Sequence, residues 1–214
     1  MLTFAIPTGR SLDSCIVLLE NAGLPVEALK NAGRNLVIED GNFRYLLAKP
    51  ADVPVAAYNG AADLAFAGSD VIAESEIPVV ELLDTGMNSC VLAIAGPEKE
   101  AVKFSGSTAK LTGLRVATKY MKTAEKIFNS WGVQLKLLKL NGSIELAPAL
   151  GLSDVIFDIV QTGSTLKANG LVVIKEIIPV SMRLVSAAGT IHTRWNELKD
   201  IVAALRIAAE KQEA

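Results

Sequence analysis

Short apolar runs of strand length alternate with helix-period segments along almost the whole chain, and this alternation restricts the fold more than any other feature. LTFAI (2–6) reads as a buried strand. Ser11 to Ala22 reads as a helix with Leu12, Cys15, Ile16 and Leu19 on one face. NLVIE and FRYLLAK follow as strands. A short helix near Val53–Asn59 leads into the strand DLAFAG (63–68), Ser69–Ala73 opens another helix, and VVELLD (79–84) is again strand-like. A second series runs CVLAIAG, LRVATK, a helix around Thr123–Trp131, and VQLKLLKL with period-two alternation. It continues with a helix from Ser143 to Leu150 and the strand VIFDIV. The charged, then Gly/Ser/Thr-rich stretch Pro97–Lys110 reads as a surface loop. LVVIKEII and SMRLVSA are two further strands, and an amphipathic helix with Trp195, Leu198, Val202 and Leu205 at helical spacing closes the chain. Such a pattern specifies an α/β fold with mostly parallel sheets and ligand-binding loops at the carboxyl ends of the strands. Two strand series point to two lobes with a cleft between them.

Composition narrows the function. Of 214 residues, 50% are apolar and 5% aromatic, which suits an α/β protein with a sizeable core. A formal charge of −2, without a basic run, argues against a nucleic-acid footprint. Any bound anion must be held by local geometry. No apolar run reaches the length of a membrane span, and MLTFAIPTGR lacks the features of an export signal, so a cytoplasmic protein is expected. Cys15 and Cys90 are far apart and read as reduced thiols. With one histidine, His192, at the start of the terminal helix, no metal cluster, Ser–His–Asp set or Cys–His pair is visible.

The chemistry must lie elsewhere. In DIVQTGSTLKANGL (158–171), Asp158 on a strand is followed by Thr162, Gly163, Ser164 and Thr165 and then by helix-like residues. One reading is a polar loop between strands. The other is an anion cradle, in which Gly163 lets backbone N–H groups turn inward and the hydroxyls complete the site without net positive charge. Asp158 would then accept hydrogen bonds from a sugar diol, and the pair describes a ribose 5-phosphate. Arg10 follows the first strand; Arg34 and Arg44 lie near the next two. Each reads as a solvated arginine or as part of a pyrophosphate clamp. Asp63 reads as a strand-entry residue, and Asp70, just beyond the strand LAFAG, as a site residue or a helix cap. Glu145 stands in NGSIELAP at a helix start, where an acid suits the dipole.

GAADLAFAGSDVI, LRVATKY, LNGSIELAPALGLSD and DIVQTGSTLKANGL together resemble the catalytic subunit of the short-form ATP phosphoribosyltransferase family, over about Ala5 to Val185. The resemblance implies a periplasmic-binding-protein-like (type II) pair of α/β lobes with a central cleft. The first would comprise 1–86 plus 179–214 and the second 87–178. It implies the first step of histidine biosynthesis, joining N1 of ATP to C1 of 5-phosphoribosyl 1-pyrophosphate with release of pyrophosphate. Mg²⁺ would be carried through the substrate pyrophosphate rather than by a protein metal site. Thr162–Thr165 would hold the 5-phosphate, Asp158 would face the ribose hydroxyls, and Asp70 and Glu145 would also bind substrate. Arg10 and Arg34 would reach across from the first lobe to the leaving pyrophosphate. The implied assembly is a homodimer within a hetero-oligomer containing a histidyl-tRNA-synthetase-like regulatory subunit, and the length fits the short form. The family usually carries lysine where this chain has Thr8 and Ser69, and basic residues around MNSCVL. The alternative reading is therefore a non-catalytic cytoplasmic two-lobed small-molecule sensor.

Overall fold

The computed structural model describes residues 1–106 and 108–213. It divides into two α/β units, Met1–Ser89 with Ser181–Ala214, and Cys90–Val180. The first unit opens with β1 (Leu2–Pro7), α1 (Arg10–Asn21), α2 (Glu27–Lys30), β2 (Val37–Asp40) and β3 (Phe43–Ala48). It continues with α3 (Val53–Tyr58), β4 (Leu64–Gly68), α4 (Ser69–Ser75) and β5 (Val80–Asp84). The second unit contains β6 (Cys90–Gly96), α5 (Glu98–Phe104), β7 (Arg115–Thr118), α6 (Met121–Ser130) and β8 (Lys136–Lys139). Then come α7 (Leu146–Ala149), β9 (Val155–Val160), α8 (Ser164–Ala168) and β10 (Val172–Val180). The chain returns to the first unit with β11 (Met182–Ser186) and α9 (Ala188–Glu213).

One sheet has the order β2-β3-β1-β4-β11-β5, the other β10-β6-β9-β7-β8. In the first, β3, β1 and β4 are parallel, whereas β2 and β11 run against their neighbours. In the second, β9, β7 and β8 are parallel, whereas β6 and β10 are antiparallel. The sheets are thus mixed rather than mostly parallel. Strand direction depends on the long-range partner, which residue pattern within a strand does not encode.

Alternation within strands explains how both faces are filled. Leu64 and Phe66 of β4 join Phe4 and Ile6 of β1 in one cluster, while Ala65, Ala67 and Ala5 face Val53 and Ala57 of α3. Alanine on that face lets the helix lie close to the sheet. On the other face, the Phe4 ring stacks between Tyr45 and Phe66, with centroids 6.0 and 6.1 Å away. The buried Tyr45 hydroxyl donates to the Pro25 carbonyl, which satisfies its polar tip. α1 and α9 cover this face through Leu18, Leu19, Leu198, Val202 and Leu205. Truncating such a ring, as in Phe66→Ala, costs about 3–5 kcal/mol. The second unit repeats the scheme. Ile94, Val116 and Phe157 fill one face, and Ala95, Ala117 and Ile156 pack with Ala147 and Leu166 on the other.

Some local expectations are corrected. Pro97–Lys110 is not simply a loop: α5 spans Glu98–Phe104 and a 3-10 turn spans Thr108–Leu111, while Ser107 lies outside the described residues. Glu98 and Glu100 in the first turn of α5, and Lys103 in the last, favour the helix through its dipole. The helix expected over Ser143–Leu150 shrinks to α7, because Ser143 takes a left-handed φ of +49°. Trp195 is 43% exposed and leaves the terminal apolar stripe to Leu198, Val202 and Leu205. Among the described residues, no helix is long and apolar enough to cross a membrane.

Candidate active site

Parallel strands place their carboxyl ends along one edge, and the loops leaving that edge meet ligands in α/β folds. In the first unit, Pro7 pairs with Ala48, and the Thr8 N–H donates to the Ala48 carbonyl over 2.8 Å. β4 ends at Gly68 on the same edge. The antiparallel β2 begins there, since the Leu47 N–H donates to the Leu36 carbonyl over 2.8 Å. Arg10, Arg34 and Asp70 therefore gather at one edge of this sheet. Arg10 is the exposed first residue of α1, behind Gly9 at φ +86°. Arg34 sits on an exposed turn before β2. Asp70 is buried in the first turn of α4, its Oδ1 lying against the place a Cβ on Gly68 would take. A side chain at Gly68 would force the Asp70 carboxylate to shift. Arg44 is different: it pairs with Thr3 near the opposite end of β1 and is held by Glu39 at 2.7 Å.

The second unit has a corresponding edge. Thr118, at the end of β7, lies opposite Lys139 of β8 and Phe157 of β9. The loops that follow these strands carry Lys119, then Glu145, then Thr162–Thr165, so Glu145, Asp158 and the hydroxyl-rich loop collect here. Asp158 is largely buried on β9, with its Oδ1 accepting the Ile159 N–H over 2.8 Å. Gly163 adopts φ +70° and ψ 0°, a left-handed geometry that glycine takes without steric cost, immediately before α8. The Thr162 and Ser164 hydroxyl oxygens lie 2.9 Å apart, and Thr165 is exposed beside them. Buried Leu166 anchors this short helix to the core. Glu145 is half-buried on the turn preceding α7.

Asp63 stands just before β4, in the strand-entry place read from the sequence. Asp63 accepts the Thr3 N–H over 2.8 Å and is ion-paired with Arg194. His192 is exposed on α9. Cys15 is fully buried, and burial pushes its thiol well above the usual range. The sequence marks Thr118 and Lys119 only as part of LRVATKY, with no site role. Thr118 Oγ1 donates to the Phe157 carbonyl over 2.6 Å, and Lys119 Nζ stands 4.0 Å from Asp158 Oδ1. Their signal was the strand end ATKY, which becomes informative only once β7 is seen beside β9.

The arrangement in the second unit offers amides and hydroxyls to an anion, and a carboxylate to a diol. The family model described as HisG, ATP phosphoribosyltransferase, matches residues 49–207. The chain belongs to the ATP phosphoribosyltransferase family. The matched span includes Asp70, Glu145, Asp158 and Thr162–Thr165, but not Arg10 or Arg34. An ATP phosphoribosyltransferase from Thermoanaerobacter sp. (strain X514) is 41% identical over 211 residues, covering 98% of this chain and 96% of the relative. One from Aquifex aeolicus is 44% identical over 178 residues, covering 83% and 80%. The solved ATP phosphoribosyl transferase (HisG:HisZ) complex from Thermotoga maritima contains a chain with a TM-score of 0.83 and 29% identity, covering 99% of this chain and 100% of that one. The aliphatic sulphonate binding protein SsuA from Escherichia coli matches with a TM-score of 0.61 at 13% identity, covering 97% and 72%. That likeness carries the fold alone, a two-lobed periplasmic-binding-protein-like (type II) architecture. ATP phosphoribosyltransferases are transferases of histidine biosynthesis that need a metal ion, and this chain is an enzyme of that class.

Proposed function

We propose that this chain is a short-form catalytic subunit whose two substrate edges divide the work of joining N1 of ATP to C1 of 5-phosphoribosyl 1-pyrophosphate. The observation that carries the residue assignment is the edge of the second sheet, where Asp158 and a left-handed Gly163 stand on either side of the turn into α8. Thr162, Gly163, Ser164 and Thr165 bind the 5-phosphate through hydroxyls and amides. Asp158 accepts hydrogen bonds from the ribose hydroxyls, and Glu145 on the neighbouring loop also binds substrate. In the first unit, Arg10 and Arg34 bind the pyrophosphate with bidentate guanidinium forks, and Asp70 contributes to substrate binding. The working lobes are 1–86 plus 179–214, and 87–178.

The chemistry needs no protein nucleophile. The N1 lone pair forms the new bond to C1, while the C1–oxygen bond breaks and its electron pair departs on pyrophosphate. Positive charge grows at C1 and negative charge on the leaving group, so positioning and preorganised charge supply the catalysis. On this reading Asp158 orients the ribose, and the arginines stabilise the departing charge.

Among the described residues, no group of three or more His, Cys, Asp or Glu side chains is arranged to hold a metal ion. Magnesium keeps several waters and is commonly bound through substrate phosphates with few protein ligands. Mg²⁺ arriving on the substrate pyrophosphate would supply charge neutralisation beside Arg10 and Arg34.

The chain acts in the cytoplasm as a homodimer together with a histidyl-tRNA-synthetase-like regulatory subunit. The HisG:HisZ composition of the Thermotoga maritima complex supports a partner of that type. Mixing the protein with ATP, Mg²⁺ and phosphoribosyl pyrophosphate should release pyrophosphate in step with adduct formation. Binding of phosphoribosyl pyrophosphate without release would instead make the chain a sensor.

A further inference from the structure

We propose that Lys119 is a positioning residue of the phosphoribosyl subsite and acts through the carboxylate of Asp158. The inference rests on the ribose-facing role given to Asp158 above. Parallel pairing sets Thr118 opposite Phe157, so the next residues on the two strands, Lys119 and Asp158, are neighbours. The turn that carries Lys119 is fixed from below. Thr118 Oγ1, fully buried, donates to the Phe157 carbonyl over 2.6 Å and accepts the Tyr120 N–H over 2.8 Å. Tyr120 is itself only 3% exposed and packs edge-on against Phe157, with ring centroids 6.4 Å apart.

A lysine on this turn would ordinarily extend into water. Here its ammonium lies 4.7 Å from the centre of the Tyr120 ring and 4.0 Å from Asp158 Oδ1. Cation–π attraction and the ion pair both act on the ammonium. Oδ1 also accepts the Ile159 N–H over 2.8 Å, so a backbone donor and a cation both act on one oxygen. Rotation of the carboxylate is restricted in consequence. A carboxylate that must meet two adjacent hydroxyls gains from such restriction, because its orientation is set before substrate arrives. The anchored aromatic shelf and the backbone donor set this pair apart from a freely solvated ion pair.

The test uses the full chain with Lys119→Met, which keeps the length without the charge, and Lys119→Arg, which keeps the charge. Each is made alone and with Asp158→Asn. Because the lysine is 44% exposed, Lys119→Met should lower kcat/KM for phosphoribosyl pyrophosphate by about two- to fivefold. Tm and the KM for ATP should not move, Lys119→Arg should recover most of the loss, and Lys119→Met should add little once Asp158 is asparagine. Wild-type kinetics for Lys119→Met, beside an impaired Asp158→Asn, would overturn the role of the lysine and leave the subsite standing. An undiminished Lys119→Met effect in the Asp158→Asn background would overturn action through Asp158. Equal falls in Tm for both lysine variants would reduce Lys119 to a stabilising contact. A fully active Asp158→Asn would remove the subsite assignment itself.

Discussion

The hydroxyl oxygens of Thr162 and Ser164 meet 2.9 Å apart across Gly163, whose φ is +70°. The Ser164 N–H points at the same Thr162 oxygen over 3.4 Å, so the loop is pre-bent around its glycine. The nearest atom to a Cβ added at Gly163 would be Val160 Cγ1 at 4.0 Å, so alanine fits spatially and is strained only by its dihedral. Gly163→Ala should therefore cost about 1–2 kcal/mol in urea unfolding. Thr165→Val, which removes only a hydroxyl, should weaken phosphoribosyl pyrophosphate by about ten- to a hundredfold. Unaltered affinity in the valine variant would refute the phosphate cradle.

Asp158→Asn should reduce turnover far more than Tm. The Ile159 N–H that its carboxylate accepts can be satisfied equally by an asparagine oxygen. Parallel losses of activity and stability would mark a structural aspartate.

Arg10 and Arg34 are exposed at the edge of the first sheet. If they stabilise charge that develops on the leaving pyrophosphate, alanine at either position should depress the chemical step more than substrate binding. Lysine should rescue only in part, because an ammonium cannot form the bidentate fork. Normal single-turnover rates would exclude the arginine concerned.

A separate clamp governs acid stability. The Arg115 guanidinium contacts both Asp154 oxygens, at 2.7 and 3.4 Å, and the Arg115 N–H adds a third bond of 2.9 Å. The guanidinium hydrogen bond is the main reason that the Asp154 carboxyl lies below the usual carboxylate range, against an opposing effect of partial burial. A depressed folded-state pKa stabilises fully above the unfolded value, about 3.9, and the benefit fades as pH falls through the folded one. The Tm advantage of wild type over Arg115→Met should be steady near neutrality and shrink below about pH 4. A gap independent of pH would remove the linkage.

Regulation offers a further check on the proposed partner. Alone, the chain should be nearly insensitive to histidine, and should acquire histidine inhibition when the synthetase-like subunit is added. Inhibition requires histidine to bind the active and inhibited complexes with different affinity. Pyrophosphate release at rising histidine, with and without the partner, measures this. Strong inhibition of the isolated chain at a site apart from the substrates would contradict it.

Much of the strand content was legible because each inner strand writes its two faces in its own residues, as Leu64 and Phe66 against Ala65 and Ala67 do. The hydroxyl loop was legible for a similar reason: Gly163 and its neighbours act within a few residues of one another. Where partners lie far apart in sequence, legibility ended. The direction of β11 depends on β4 and β5, and the place of Lys119 depends on the register of β7 against β9. Arg44 lay near the right strand but at its amino end, beside Glu39. α5 reads as loop in the sequence because it is charged and runs into Gly/Ser/Thr-rich residues, yet those same charges, placed at its ends, favour the helix.

The place of β11 has a consequence for how the protein is made. β11 alone joins β5 to the rest of the six-stranded sheet, and all of Cys90–Val180 is translated between the two. At about 5–20 residues per second, a nascent chain holds β4 and β5 without their shared neighbour for on the order of ten seconds. The strands of the inserted unit, by contrast, all emerge in one uninterrupted run. On the ribosome, the lobe that is started first is the lobe that is finished last.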